Sequence, residues 1–412
     1  MTSELLGISG ILFSGILVFF FSAKYPEYSR ALFAAYSLRV LTICFNEFIA
    51  PLPDSRGDAI NFEEYAWQLS KDGLENILLQ FNGPSSYFLS WLVSIIYYFT
   101  DRSPLLIQSI SLTFGMASVL SGALLSKELW GRRTSKKVVW ALAIFPSLIL
   151  YSVLILREAY IIFFLLCAIR YMVTWIRSGS PRSIIFGVTS FVAAGFFHGA
   201  MFLGVFIFAG LILLKLVKNS YRARGKTKLI SFATLIVCSI FFLTSLNLLK
   251  SEKIPKLGSL DKLLNIERVL FVIQSKSGKN EGGADYPDWV TPKKPIEILY
   301  LSPIRISYYL FSPFIWDIKK SSHLIGMIDG FLYFFLTILI WKSRSYIWSN
   351  PAAKSILFST LIFIIIFSFG SGNFGTGIRH RAKLAILIII LAGPALPAIK
   401  RRVGYLPDTN PQ

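Results

Sequence analysis

Four groups of ionisable residues interrupt an otherwise apolar chain, and their types are suited to group-transfer chemistry. They are Asp58, the pair Arg157 and Glu158, His198, and the run Arg379, His380 and Arg381. A carboxylate removes a proton from an attacking hydroxyl, or holds a metal ion that does so. Arginines neutralise a departing phosphate or diphosphate in bidentate geometry. If these groups meet on one face of a membrane, they suit transfer of a group from a phosphorylated lipid.

Each group also has a purely structural interpretation. Asp58 opens a helical pattern, where a carboxylate caps free N–H groups. Arg157 and Glu158 suit an ion pair at a helix end, where charges are tolerated, and His198 suits a hydrogen-bonded turn. The run that starts at Arg379 suits contacts with lipid headgroups. These residues can therefore act in catalysis only if the fold brings them together.

The segment 51–73, which carries Asp58, is acidic and amphipathic although hydrophobic segments flank it. Asp58 and the small and apolar residues that follow it are spaced to share one face of a helix. We expect Glu63 and Glu64, in the middle of this helix, to be solvated. Asp58 is therefore the preferred carboxylate of the segment.

The elements that must position these residues are membrane helices. The 412 residues are 54% hydrophobic and include 36 Phe, with a mean hydropathy of +0.60. These values are outside the range of soluble domains. Only helices satisfy all their backbone groups within one segment in lipid. The composition thus predicts an all-α, polytopic membrane protein, organised as a single integral-membrane domain over residues 1–412.

The net charge of +20 could indicate nucleic acid, but its distribution favours a membrane protein. Basic residues cluster in short connectors, near 127–137, 215–228, 342–344 and 400–402. This is the positive-inside pattern, which orients membrane spans and attracts anionic headgroups. The lipid bilayer is therefore an expected partner, and nucleic acid is not.

Placing the basic connectors inside predicts about 11 transmembrane helices. They are 5–23, 30–50, 105–126, 138–156, 159–176, 183–198, 200–216, 229–248, 323–341, 355–370 and 383–399. Residues 51–104 then form a first outer loop, in which 84–100 is apolar but short and reads as a re-entrant or interfacial helix. A large outer loop covers 249–322, with an interfacial segment at 300–316 that prolines interrupt.

At this point the chain resembles the GT-C superfamily of integral-membrane glycosyltransferases, which use polyprenyl-phosphate or polyprenyl-diphosphate donors. The pattern in the first outer loop is Asp58, Phe62, Ala66 and Gly73. A Pro-led aromatic helix, a basic connector and an outer turn with Glu158 follow in order, so the resemblance covers roughly 45–175. The paired acids typical of the family are Asp58-Ala59 and Arg157-Glu158 here, which leaves a divalent metal, Mg or Mn, open.

The resemblance implies roles for the site residues. Asp58 would be the catalytic base or the carboxylate that positions the acceptor, and Glu158 its partner or a metal partner. The donor phosphate would be held by Arg157, Arg379, His380 and Arg381. Accessory roles would fall to His198, Arg305 and Tyr65.

The late segment around 287–318 and the GIRHRAK stretch look similar to membrane proteins of bacterial surface-polysaccharide clusters. This implies a polymerase or a glycosyltransferase of O-antigen, capsule or exopolysaccharide assembly. Its donor would be a saccharide linked to undecaprenyl phosphate or diphosphate, and its acceptor another saccharide. The active site would face the periplasm from the inner membrane, and a polysaccharide chain-length regulator is an expected partner of a polymerase.

Three alternatives stay open. A flippase or transporter of lipid-linked sugars needs ionisable groups near the bilayer midplane, where only Arg39 and Arg170 are candidates. A membrane acyltransferase that modifies surface glycans would use His198 or His380 as its base. A non-catalytic scaffold would need none of these residues.

Overall fold

The computed structural model of the protein describes residues 3–222, 266–276, 283–320 and 322–397. The predicted span 229–248 and much of the predicted outer loop, residues 249–265 and 277–282, lie outside these ranges. Within them the chain is helical, and its β-structure is limited to one bridge between Asp285 and Asn373. The prediction of an all-α fold is confirmed for the described part of the chain.

The described part of the chain forms seventeen α-helices. They are α1 (Ser3–Lys24), α2 (Ser29–Phe48), α3 (Asp58–Ser70), α4 (Leu74–Leu79), α5 (Phe88–Thr100), α6 (Pro104–Trp130), α7 (Arg132–Ile144), α8 (Pro146–Leu150), α9 (Glu158–Ser178), α10 (Pro181–Phe197), α11 (Leu203–Arg222), α12 (Ile266–Lys276), α13 (Glu297–Phe311), α14 (Ser322–Lys342), α15 (Arg344–Ser349), α16 (Pro351–Gly370) and α17 (Phe374–Ala392).

Seven helical segments of the described chain are long and apolar enough to cross a membrane. They are Ser3–Lys24, Pro26–Phe48, Pro104–Trp130, Glu158–Ser178, Gly199–Lys218, His323–Lys342 and Pro351–Gly370. A helix of about 20 residues matches the ~30 Å hydrocarbon core. The protein is therefore an all-α polytopic membrane protein, and the total of 11 spans stays a prediction.

The predicted continuous span over 138–156 is wrong. Helix α7 ends at Ile144, Phe145 is extended, and the short α8 starts at Pro146. Proline lacks the N–H of the helix ladder and disfavours helical backbone in the residue before it. After α8, residues 151–157 form buried turns and bends without helix. Such backbone is tolerated in a membrane protein where other protein segments surround it.

Arg39 of α2 satisfies the carbonyls that this break leaves open. Its guanidinium donates to Ala143 O at 3.3 Å, to Leu148 O at 3.4 Å and to Ser152 Oγ at 2.9 Å. Arg39 is 1% exposed. We therefore assign this intramembrane arginine to the support of the broken segment.

The basic connector near 127–137 lies at one end of the molecule. Glu27 pairs with Lys127 at 3.2 Å, and Trp130 Nε1 donates to Ile390 O at 2.9 Å. Asn350 and Arg177 reach the carbonyls of Leu129 and Glu128 at this end. At the opposite end of the molecule, Ser103 Oγ donates to Ser3 O at the start of α1, and Glu158 at the start of α9 pairs with Arg379 of α17. The candidate site is found at this end.

Helices α3 and α5 pack together at that opposite end, and Glu63 of α3 binds Arg102, which lies just before α6. Glu63 is buried, so the expectation that it is solvated is wrong. Arg102 donates to its two oxygens at 3.0 and 2.6 Å, and Tyr97 Oη donates at 2.9 Å. The hydrogen bonds to Glu63 raise the pKa of Arg102, although burial opposes this. Helix α5, with 13 residues, is too short to cross the membrane.

The last described helix starts nine residues before the predicted span 383–399. Asn373 caps α17, because its side chain accepts from Thr376 N at 2.7 Å. The preceding strand-like pairing, Tyr286 N to Gly372 O at 3.0 Å and Phe374 N to Ala284 O at 2.9 Å, fixes this start. The arginines that we expected in a turn thus lie on a helix, which sets the direction of each side chain.

Candidate active site

Arg379 of α17 joins two carboxylates from distant parts of the chain. Its Nη1 lies 2.5 Å from Asp58 Oδ2, and its Nε lies 2.8 Å from Glu158 Oε1. The Arg379 side chain is 13% exposed, the Glu158 side chain 1% and the Asp58 side chain 58%. The three residues form a chain of charges that leads from the buried interior to the surface.

Asp58 owes its place to a turn that only glycine adopts readily. Gly57, directly before it, has φ 91°, in the left-handed region. Asp58 is then the first residue of α3, where a carboxylate interacts favourably with the positive end of the helix dipole. The buried face of α3, with Phe62 and Ala66, holds the helix against the protein while Asp58 stays exposed.

Glu158 is the first residue of α9, directly after the buried segment 151–157. The helix dipole also favours a carboxylate here. Lys383 Nζ lies 3.5 Å from the same oxygen that Arg379 contacts. Lys383 is 1% exposed, and its ammonium also lies 5.5 Å from the centre of the Phe367 ring. Two cations from α17 therefore converge on one buried carboxylate.

Arg157 lies beside this group. Its guanidinium stacks over the Phe62 ring at 5.1 Å, and its Nη1 donates to Phe197 O at 3.2 Å. Burial lowers the pKa of Arg157, and the charge of Glu158 partly offsets this. Because Phe62 is four residues after Asp58, one face of α3 presents both the carboxylate and the ring that supports Arg157.

Three polar atoms of the group are buried without a hydrogen-bond partner among the described residues: Glu158 Oε2, Arg157 Nε and Arg379 Nη2. Buried polar groups in proteins are nearly always hydrogen-bonded. The group holds three cations, Arg157, Arg379 and Lys383, against the carboxylates of Asp58 and Glu158. The buried guanidinium donors of Arg157 and Arg379 that have no partner in the described chain suit an anionic ligand.

The two predicted histidines meet at the edge of the group. The rings of His198 and His380 are 5.3 Å apart, and each also contacts Phe367, at 5.5 and 5.1 Å. His380 Nδ1 lies 3.3 Å from Ser371 Oγ. His198 follows Phe197, whose carbonyl binds Arg157, and His380 follows Arg379. The fold thus brings both histidines to the site that the sequence predicted for them.

Arg381, which we predicted to hold the donor phosphate, points elsewhere. Successive residues of an α-helix are rotated by about 100°, so Arg381 lies about 200° around α17 from Arg379. It is fully buried and pairs with Asp329 at 2.8 Å. It also donates to the carbonyls of Leu310, Ser312 and Gly326. The structure separates Arg381 from the group around Glu158.

The two remaining accessory residues also lie apart from this group. Arg305 is fully buried and donates to Ser371 O at 2.7 Å and to Val290 O at 3.3 Å. Arg305 thereby connects α13 to residue 290 and to the segment just before α17. Tyr65 is 39% exposed and is on the same helix as Asp58, but its ring packs on Tyr87 at 4.7 Å.

Three residues of this region were not predicted from the sequence. Lys383 is four residues after Arg379, a spacing that puts both on one face once the segment is known to be helical. Asp54 and Tyr151 form a hydrogen bond of 2.7 Å next to the group. No sequence pattern that we used connects a tyrosine after Pro146 to an acid in the first outer loop.

The site does not fit a divalent metal such as Mg or Mn. Among the described residues there is no cluster of three or more His, Cys, Asp or Glu that could hold a metal ion. The two predicted acids, Asp58 and Glu158, are both bound to Arg379. A guanidinium between two carboxylates occupies the place that a cation would need.

Neither a protein-family model nor a curated protein matches this chain. The interpretation of the site therefore depends on its geometry and charge.

Proposed function

We propose that this protein transfers a sugar or oligosaccharide from a polyprenyl-phosphate or polyprenyl-diphosphate carrier to a saccharide acceptor. It would act as a polymerase or glycosyltransferase of surface-polysaccharide assembly, of O-antigen, capsule or exopolysaccharide. The observation that carries the proposal is the charge chain in which Arg379 links the exposed Asp58 to the buried Glu158. It combines an accessible proton acceptor with a protected anion site, as the reaction requires.

In the proposed reaction Asp58 accepts the proton of an acceptor hydroxyl. The hydroxyl oxygen forms a bond to the anomeric carbon of the donor sugar. The bond between that carbon and the phosphate oxygen breaks, and its electron pair leaves with the carrier phosphate. A single displacement of this kind inverts the anomeric centre. The exposed carboxylate suits this role, because its ion pair with Arg379 uses Oδ2 and an acceptor can approach from solvent.

The departing phosphate would be stabilised by Arg157, Arg379 and Lys383. The first two keep a buried donor atom free of protein partners within the described chain. Charge-assisted hydrogen bonds to phosphate are about twice as strong as neutral ones, and they strengthen as negative charge develops. No metal is needed in this proposal, because guanidinium and ammonium groups supply the positive charge.

Glu158 takes a positioning role in this proposal. It lies between Arg379 and Lys383, at 2.8 and 3.5 Å. Without it, like charges would repel one another inside the protein. Its carboxylate keeps the cations in place before the donor binds, and its free oxygen lies within the same buried group.

The donor's polyprenyl chain would lie in the bilayer beside the helices, and the site would face the periplasm from the inner membrane. The separation of charged groups supports this arrangement. The basic connector near 127–137 lies at one end of the helices, and the site lies at the other. By the positive-inside rule this connector would face the cytoplasm, and the site would then face the periplasm.

A membrane acyltransferase is the second candidate, because the His198 and His380 rings are 5.3 Å apart beside the site. In that reaction a histidine is the base, so His198→Ala abolishes activity, whereas Asp58→Asn does not. Glycosyl transfer predicts that Asp58→Asn abolishes activity and that His198→Ala hardly changes it. A transporter is less well supported, because both intramembrane arginines have protein partners, Arg39 on carbonyls and Arg170 on Glu128 at 2.7 Å.

The test is deletion of the gene, complementation with wild type or Asp58→Asn, and analysis of the surface glycan by length. A polymerase is indicated if deletion removes long chains and leaves one repeat. A glycosyltransferase is indicated if the repeat itself, or one sugar of it, is missing. Asp58→Asn is expected to behave like the deletion while the protein accumulates normally in membranes. Unchanged glycan in the deletion strain would refute the proposal.

A further inference from the structure

Asp54 is a third carboxylate at the candidate site, and its backbone is unusual. It has φ 61°, in the left-handed region, which non-glycine residues seldom adopt. Backbone strain of this kind persists only where the surroundings impose it, and it concentrates at functional sites. The turn that contains Asp54 leads directly into Asp58.

Tyr151 fixes the Asp54 side chain. Its hydroxyl donates to Asp54 Oδ2 at 2.7 Å, and Tyr151 itself is 1% exposed. Tyr151 is the first residue of the buried segment 151–157, which ends next to Glu158. The orientation of Asp54 is thus set by the same rigid segment that positions the buried half of the site.

Asp54 is also close to the other charges. Burial raises the pKa of the Asp54 carboxyl, and the hydrogen bond from Tyr151 and the charge of Arg379 oppose this, while the charges of Glu158 and Asp58 add to it. At the centre of this arrangement Glu158 is almost completely buried and keeps one oxygen without a hydrogen-bond partner among the described residues. A buried polar atom without a partner in the described part of the protein is one that a polar ligand can satisfy.

We propose that Asp54, oriented by Tyr151, binds a second hydroxyl of the acceptor, next to the hydroxyl that Asp58 deprotonates. This inference rests on the proposed function. Its ligand is a polyhydroxylated acceptor, a sugar with two neighbouring hydroxyls. An ionised carboxylate accepts hydrogen bonds from such hydroxyls with each of its oxygens. Asp54 is a binding residue and exchanges no proton, whereas Asp58 takes part in the reaction.

The test uses membranes from cells that express each variant. The host's lipid-linked donor is held at a fixed saturating concentration, and the host's saccharide acceptor, extracted and added at graded concentrations, is the probe. Asp54→Asn is expected to raise the half-saturating concentration about 10- to 100-fold and to leave the maximal rate within about 3-fold. Tyr151→Phe removes one oxygen atom and is expected to raise the half-saturating concentration less, about 3- to 10-fold. Asp72→Asn, an exposed acid of the same loop, is the matched control and behaves like wild type.

The double variant Asp54→Asn/Tyr151→Phe is expected to have the same half-saturating concentration as Asp54→Asn alone, because Tyr151 acts through Asp54. The inference is overturned if Asp54→Asn and Tyr151→Phe leave the half-saturating concentration unchanged. It is also overturned if they lower the maximal rate as Asp58→Asn does. If Asp54→Asn fails to accumulate, the half-saturating concentration of Tyr151→Phe decides. Full transfer by Asp58→Asn would instead refute the proposed function, so the two failures are distinguishable.

Discussion

Arg379 and Arg381 are separated by one residue of α17, yet they lie in opposite surroundings. Arg379 pairs with the buried Glu158 and the exposed Asp58, and one of its nitrogens has no partner in the described chain. Arg381 is fully buried against Asp329 and three backbone carbonyls. The first arginine has partners that a ligand can replace, whereas the second has partners that fix the packing of helices.

Close helix packing explains why Arg381 cannot serve a ligand. It binds carbonyls at the end of α13 and the Gly326 carbonyl of α14. Helix α14 approaches this point because Gly330 has no side chain, and a Cβ there would lie 2.2 Å from Phe311 O. The Arg379 side of α17 instead faces the loop that carries Asp58. Identical side chains therefore acquire different partners from the face of the helix they occupy.

The largest expected effect is on the Arg379 side. Asp58→Asn should lower product formation by about 10²- to 10⁴-fold, the usual contribution of a general base. Stability should hardly change, because the Asp58 side chain is 58% exposed and exposed ion pairs contribute little. Glycan length and the melting temperature of the purified protein in detergent are the two measurements. Wild-type glycan from this variant would remove Asp58 from the site.

On the Arg381 side the expected effect is on stability. Arg381→Met leaves Asp329 buried without its partner, which should cost about 3–5 kcal/mol of unfolding free energy. Adding Asp329→Leu should restore much of the loss, because a buried pair can be replaced by apolar residues. Unfolding in mixed micelles measures both variants, with Asp58→Asn at the exposed end of the other arginine's contacts as the control. If Arg381→Met were stable and inactive, both arginines would belong to the site.

A smaller effect is expected for Arg379→Lys, which keeps the charge. Lysine has a single ammonium and cannot hold Asp58 and Glu158 in the fixed geometry of a guanidinium. Activity should fall about 10- to 100-fold, equivalent to about 1.4–2.8 kcal/mol. The rate of transfer in membranes is the measurement. An activity equal to wild type would show that only the charge of residue 379 matters.

The smallest effect tests the support of α3, away from both arginines of α17. Glu63→Gln weakens the contacts with Arg102 and Tyr97 and should lower stability by about 1–2 kcal/mol. Glu64→Gln, at an exposed neighbouring position, is its control and should be nearly silent. The melting temperatures of the two variants provide the comparison. Equal melting temperatures would contradict a structural role of Glu63.

Much of the fold and part of the site could be predicted from the sequence. Apolar length predicts the membrane helices, and the spacing of Phe62, Ala66 and Leu69 predicts the buried face of α3. Pro146 can indicate a helix break, but the long apolar run around it favours one continuous span. The burial of Glu63 depends on Arg102, which is 39 residues away in the chain. Sequence patterns report local spacing and do not report such partners.

By itself, the sequence determined that this is a helical membrane protein, and it singled out Asp58, Arg157, Glu158 and Arg379 as its unusual charges. Only the tertiary structure decided that these charges meet, that Lys383 joins them and that Arg381 does not. The physical reason is the phase of α17. Its start at Phe374, fixed by pairing with residues 284–286, sets which arginine turns toward Glu158 and which turns toward Asp329.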